Sequence, residues 1–238
     1  AEFVVTEADF SRDWLRRRHP AFAEKIHRVY NGIDTAAFPE SVPEPGRPRL
    51  VSVGRCIEKK GFGDLIAACA LLRDRGLDFE CAIVGGGPLE EPLRAAVRER
   101  GLEGIVELTG PRPQEEVRRR LSRASVFVLA CATEADGGMD NFPTVIAEAM
   151  ACGLPVVSTR LAGVPEMVED GATGLLAREK QPAELAGALE KLIRDPALAR
   201  RMGACGKEAA RARFALPETV ARLKELLERA ELRPGITC

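Results

Sequence analysis

The sequence predicts an α/β fold, a parallel sheet with helices on both faces and a helical flank at its C-terminal end. Six short runs rich in Val, Ile and Leu, at residues 49–53, 79–84, 105–108, 126–130, 155–158 and 174–176, have the length of buried strands. Between them, residues 64–75, 89–100, 114–123, 143–152 and 164–169 carry apolar positions at i, i+3 and i+4, and several end in Gly as helices do. Strict alternation makes the strands parallel, because each helix returns the chain to the same end of the sheet. After residue 176 the alternation breaks. Segments 182–194, 196–213 and 217–231, rich in Ala, Leu, Arg and Glu, follow in series, each opening on Pro at a first-turn position.

At the front, an extended stretch at 3–6, a helical one at 11–18, another extended run at 26–32 and the Pro-rich 39–48 read as a lead-in and linker. With 238 residues, 45% of them apolar and 30% charged, the chain can bury a substantial core. Thirty-five Lys and Arg against 36 Asp and Glu leave a net charge of −1, which argues against a nucleic-acid partner. The longest apolar stretch, residues 124–133, is far short of the roughly 20 residues of a membrane-spanning helix, so a soluble chain with no transmembrane segment is expected. Seven Cys with no C-x-x-C pair give neither a disulfide framework nor a zinc site and read mostly as small buried hydrophobes. His19 and His27 are the only histidines and both lie near the N-terminus, so a Ser-His-Asp triad deeper in the chain is ruled out. Chemistry in the main body must come from carboxylates, Arg, Lys and backbone amides.

Parallel sheets bind ligands at the carboxyl ends of their strands. In the loop after the fourth run, Asp140 precedes Asn141, Phe142, Pro143 and Thr144, and a second acid, Glu148, follows eight residues after the first. At about 1.5 Å per residue, Glu148 lies inside a helix while Asp140 stays ahead of its N-terminus. Free amides at Phe142, Thr144 and Val145 and the helix dipole would then hold phosphate between two carboxylates that take sugar hydroxyls. The alternative is that Asp140 caps the helix and Glu148 is a solvated face residue. After the first run, Gly54 permits close backbone approach, and Arg55 and Lys60 place two cations beyond a strand end, where charge on a departing diphosphate could be met. An ordinary basic loop would look the same. Gly85 to Pro88 lacks the G-x-G-x-x-G spacing and reads as a tight turn, while Gly110 and Arg112 lie in a loop that could hold a base. The acids Glu134, Asp136 and Asp140 cluster without a calcium-loop pattern, and the 118–120 arginines read as a solvated helix face.

Taken together, G-R-x-x-x-x-K-G at 54–61, V-G-G-G-P at 84–88 and D-N-F-P-T-V-I-A-E-A-M-A-C-G-L-P-V-V at 140–157 resemble family 4 of the retaining GT-B glycosyltransferases. N-G-I-D at 31–34 and G-V-P-E at 163–166 extend the resemblance. It implies the C-terminal, Rossmann-like half of a two-domain fold. Residues 1–25 would be a remnant of the acceptor domain and lead-in, 26–213 the nucleotide-sugar-binding domain, and 214–238 a helix and tail that cross back. Arg55 and Lys60 match the pair that contacts the diphosphate, Glu148 the acid that binds ribose, and Asp140 the acid that contacts the transferred sugar. Asp stands there in place of the commoner Glu, and Asn141 where Gly is frequent. The family needs no cofactor or metal; its donor would be a UDP- or GDP-sugar, and its acceptor a sugar or lipid-linked sugar held by the absent N-terminal domain. A cytoplasmic enzyme, peripheral at the inner membrane face when full-length, is implied. The alternative is a non-catalytic nucleotide-binding module of the same fold. The isolated chain is expected to bind donor and to transfer sugar poorly or not at all.

Overall fold

The structure, a computed structural model, describes residues 1–43 and 46–231. The chain opens with β1 (Val4–Thr6), α1 (Asp9–Arg18) and β2 (Ile26–Arg28), and the two strands pair in parallel as a small separate sheet. Next come β3 (Arg49–Val53), α2 (Phe62–Asp74), β4 (Glu80–Val84), α3 (Glu90–Glu99), β5 (Val106–Gly110) and α4 (Gln114–Arg123). The second half of the alternation is β6 (Val126–Leu129), α5 (Thr144–Ala151), β7 (Val156–Thr159), α6 (Val164–Met167) and β8 (Gly174–Ala177). Three helices close the described chain: α7 (Pro182–Arg194), α8 (Pro196–Phe214) and α9 (Leu216–Glu231).

The main sheet has six parallel strands in the order β5-β4-β3-β6-β7-β8. The chain builds outward from β3 in one direction, returns to the middle at β6, and builds outward in the other. The loops after β3 and β6 therefore flank the reversal of strand order, the usual ligand position in an open α/β sheet. Every residue of β6 and β7 is buried, as their unbroken apolar runs require once helices cover both faces. α2 buries seven of its residues, Leu65, Ile66 and Leu72 among them, because it lies between the sheet and α7.

Predicted and observed elements differ chiefly at their ends. β5 runs on through Thr109 and Gly110 because Gly110, at φ 71°, lets the strand shift register and pair with Val84. α2 starts two residues earlier than its periodicity indicates, directly after Gly61. The expected C-terminal tail, residues 232–238, and residues 44–45 of the Pro-rich linker lie outside the described residues.

Two apolar surfaces stay open. Val4, Val5, Phe10, Trp14 and Phe22 are exposed on the N-terminal segment, and Leu216, Val220, Leu223 and Leu227 form an exposed stripe along α9. The α9 stripe has the i, i+4, i+7, i+11 spacing of a helix face built to pack. Burial pushes the His27 imidazole of β2 down, and the charges of Arg16 on α1 and of Arg222 and Arg229 on α9 add to this.

Candidate functional site: the crevice between the loops after β3 and β6

The loop after β3 is shaped by two glycines. A 3-10 turn at Glu58–Lys60 ends on Gly61, which adopts φ 63° and ψ 26°. A Cβ at Gly61 would overlap the Ala130 carbonyl, so only glycine lets α2 start so close to the end of β6. The missing side chain of Gly54 makes room for the Lys60 stem; a Cβ there would lie 3.2 Å from its Cδ and Cε. Lys60 is thereby laid across the strand end toward β6. Its ammonium donates to Asp140 Oδ2 at 2.5 Å, and both side chains are largely covered, 13% and 19% exposed.

The loop after β6 reaches that point by being tied to its neighbour. Ala132 N donates to Lys59 O at 3.1 Å, Lys59 N to Glu134 Oε1 at 3.4 Å, and Ala135 N to Glu58 Oε2 at 3.4 Å. From β7, Ser158 Oγ donates to Leu129 O at 2.7 Å and Thr159 Oγ1 to Cys131 O at 2.6 Å, extending the hold on β6 past its last ladder bond. Burial, with the Asp140 charge close by, pushes the Cys131 thiol up to about 12. Asp136 is used inside its own turn, where Gly138 N donates to its Oδ1 at 2.8 Å and Glu134 N donates to Gly138 O at 2.8 Å, while the Glu134 carboxylate serves the tie to Lys59.

Asp140 does not cap α5. The cap position is Pro143, with no side-chain bond, so the carboxylate is left to Lys60 and the first-turn amides of Thr144 and Val145 find no backbone acceptor among the described residues. Glu148, one turn inside α5, is half-buried rather than solvated. Burial pushes its carboxyl up from the ordinary 4.5 while the Arg118 cation pulls it down, and among the described residues it accepts no hydrogen bond. Arg118 is thus not the solvated residue its sequence setting indicates. Its guanidinium lies 5.2 Å from the Phe38 ring centre, and its Nε is buried without a partner. A lone Arg in a charged helix run gives no sign of this.

Arg55 is exposed and, among the described residues, its guanidinium has neither hydrogen-bond nor ion-pair partner. Of the two predicted cations, one is therefore free among the described residues and the other is already paired with an acid. Phe142 points away from the crevice. Its ring is buried against Tyr30 and Phe214, with centres 5.2 and 5.5 Å apart, so only its backbone can face a ligand. Pro143 is buried and has no N–H, and Asn141 O accepts from Gly163 N at 3.0 Å. The Gly110 carbonyl accepts from Gly85 N at 3.1 Å and Thr109 Oγ1 at 2.8 Å, while Arg112 stands exposed beyond it. The 85–87 glycines are a brace: Cys56 N donates to Gly86 O at 2.9 Å and Leu89 N to Cys56 O at 3.0 Å, locking the Arg55 loop from below.

Lys60 and Asp140 therefore meet at the reversal of strand order, beside a helix N-terminus, with Arg55 on the loop after β3 and Glu148 one turn inside α5. A profile of the glycosyl transferases group 1 family matches residues 34–209, which include all four. The chain belongs to this family. It is 42% identical over 174 residues to the amylovoran biosynthesis glycosyltransferase AmsK of Erwinia amylovora, covering 71% of this chain and 42% of that protein. It is 37% identical over 210 residues to the GDP-mannose-dependent alpha-(1-6)-phosphatidylinositol monomannoside mannosyltransferase of Mycolicibacterium smegmatis, covering 82% of this chain and 54% of that one. The sucrose-phosphate synthase of Thermosynechococcus elongatus superposes with a TM-score of 0.83 at 25% identity, over 96% of this chain and 58% of that one. Anabaena HepE, solved with UDP and glucose, shares the fold at a TM-score of 0.83 and 23% identity, over 96% of this chain and 63% of that one. The group 1 fold here is the Rossmann-like half of a GT-B architecture, with its helical end. The chain spans about half the length of the curated relatives it matches. Among the described residues no helix is long and apolar enough to cross a membrane.

Proposed function

We propose that this chain is the donor half of a retaining glycosyltransferase, binding a nucleoside diphosphate sugar in the crevice between the loops after β3 and β6. The observation that carries the reading is the Lys60–Asp140 bond beside the open N-terminus of α5. Diphosphate would lie against the Thr144 and Val145 amides with Arg55 and Lys60 taking the charge that grows on the leaving group. Glu148 would accept from ribose hydroxyls and Asp140 from the transferred sugar. The acceptor, a sugar or lipid-linked sugar, would sit on a second domain covering the exposed faces of α1 and α9, so that sugar transfer needs both halves. Relatives named for amylovoran and colanic acid biosynthesis favour a polysaccharide pathway on the cytoplasmic side, with peripheral membrane contact through the other half. Neighbours solved with UDP and a relative that uses GDP-mannose leave two bases in play.

Calorimetric titration of the purified chain with UDP, GDP and ADP, alongside Arg55→Ala and Glu148→Ala, tests the reading. Binding of one nucleotide, weakened by both substitutions, is expected and names the base. Failure of all three to bind overturns it. Asp140→Asn in the full-length enzyme separates a transferase, which loses turnover, from a binding module, which keeps its function.

A further inference from the structure

We infer that Glu166 is a positioning residue, whose carboxylate on α6 fixes the N-terminal helix α1 to the loop that presents Asp140, so that helix and loop hold one arrangement. α1 starts after Ala8, which offers no side-chain cap. Its first amides are satisfied from far along the chain: Asp9 N donates to Glu166 Oε2 and Phe10 N to Glu166 Oε1, each at 2.7 Å. A carboxylate that accepts two amides at a helix N-terminus is well matched to the dipole there. Glu166 is itself held in place. Tyr30 Oη donates to Oε2 at 3.4 Å, and Arg213 donates to the Glu166 carbonyl and, at 3.2 Å, to Tyr30 Oη.

The same knot grips the donor-site loop. Gly163, ahead of α6, donates to Asn141 O at 3.0 Å, and a Cβ on it would overlap that oxygen and lie 2.9 Å from the buried Ala8 Cβ. Phe142 stacks on Tyr30, whose ring also carries the Arg28 guanidinium at 3.9 Å. Asn141 and Phe142, the two residues between Asp140 and Pro143, are therefore both attached to the group of side chains that Glu166 organises. A simple helix cap would touch α1 alone. The effect on the donor rests on the proposed roles of Asp140 and α5; the coupling of helix to loop does not.

Amide hydrogen exchange of the purified chain tests the coupling, with Glu166→Ala and the isosteric Glu166→Gln compared against wild type. Glu166→Ala should raise exchange tenfold or more at residues 9 and 10 and also at Gly163 and Ile146, whose amides donate to Asn141 O and Pro143 O, with α7 unchanged. Glu166→Gln, which keeps one acceptor, should fall between, and it decides the question if the alanine variant does not fold. Faster exchange confined to α1 would reduce Glu166 to a local cap and overturn the inference. UDP and GDP titrations run alongside separate the two claims. A wild-type chain that binds neither these nor ADP would sink the donor reading while the exchange data still judge the coupling.

Discussion

Lys60 and Asp140, 80 residues apart in sequence, are bonded at 2.5 Å across the point where the sheet reverses its strand order. Both side chains are mostly removed from water, so each relies on the other. Loss of one partner leaves a desolvated charge, whereas loss of both leaves none. Lys60→Met and Asp140→Asn should each cost about 1–3 kcal/mol, and the double variant less than their sum, with a coupling of about 0.5–3 kcal/mol. Urea denaturation of the four chains measures it, and zero coupling would mean the bond does not form in solution.

Gly61 sets where Lys60 points. Gly61→Ala would force an L side chain to φ 63° and drive its Cβ into the Ala130 carbonyl. The backbone term alone is about 1–2 kcal/mol, so a total loss above about 2 kcal/mol is expected. Gly63→Ala is the control. Gly63 lies in α2 with open space around its Cα, so alanine there should stabilise by about 0.5–1 kcal/mol. Equal effects in thermal melts would refute the structural distinction.

Glu148 carries the clearest pH dependence. Its folded carboxyl titrates above the unfolded value because burial penalises the charged form. The folded state therefore holds this proton more tightly than the unfolded state. Its contribution to stability is fully present below the ordinary value of 4.5 and is lost as pH rises through the raised folded value. Glu148→Gln should accordingly raise the melting temperature at pH 7, change it little at pH 4 and below, and weaken nucleotide binding. A variant less stable than wild type at pH 7 would contradict the burial argument.

The α9 stripe gives a prediction about association. Val220, Leu223 and Leu227 are 54%, 38% and 48% exposed, an unusual density for a helix in water. Replacing all three with Ser or Gln should leave the melt of this chain cooperative and lower its self-association in sedimentation. If α9 packs on a second domain as proposed, the same substitutions should reduce transfer by the two halves together. Unchanged self-association would show that the stripe attracts nothing.

The alternation of strands and helices is legible because buried parallel strands read as unbroken apolar runs, and β3, α4 and α7 match their expected bounds. Strand order is not, since periodicity says nothing about which runs are neighbours. The crevice between β3 and β6, and with it the Lys60–Asp140 bond, follows only from the order. Asp140, Glu148, Arg55 and Lys60 stand out through their spacing from strand ends. Arg118 and Glu166 do not, because each acts through a partner on a distant element, one beside Glu148 and the other at α1. The free amide of Phe142 is legible from its place ahead of a helix, but that its ring belongs to a buried cluster with Tyr30 and Phe214 is not, because those partners lie more than 70 residues away in sequence.

The main-chain ties between Lys59 and Ala132, Lys59 and Glu134, and Glu58 and Ala135 bear on how such a site can diverge. Because the two loops are stitched backbone to backbone and backbone to carboxylate, a substitution in 56–60 changes the setting in which one at 132–136 is judged. Changes in donor preference should therefore be inherited as correlated pairs across the two loops, and a library that varies either loop alone would explore mostly broken combinations.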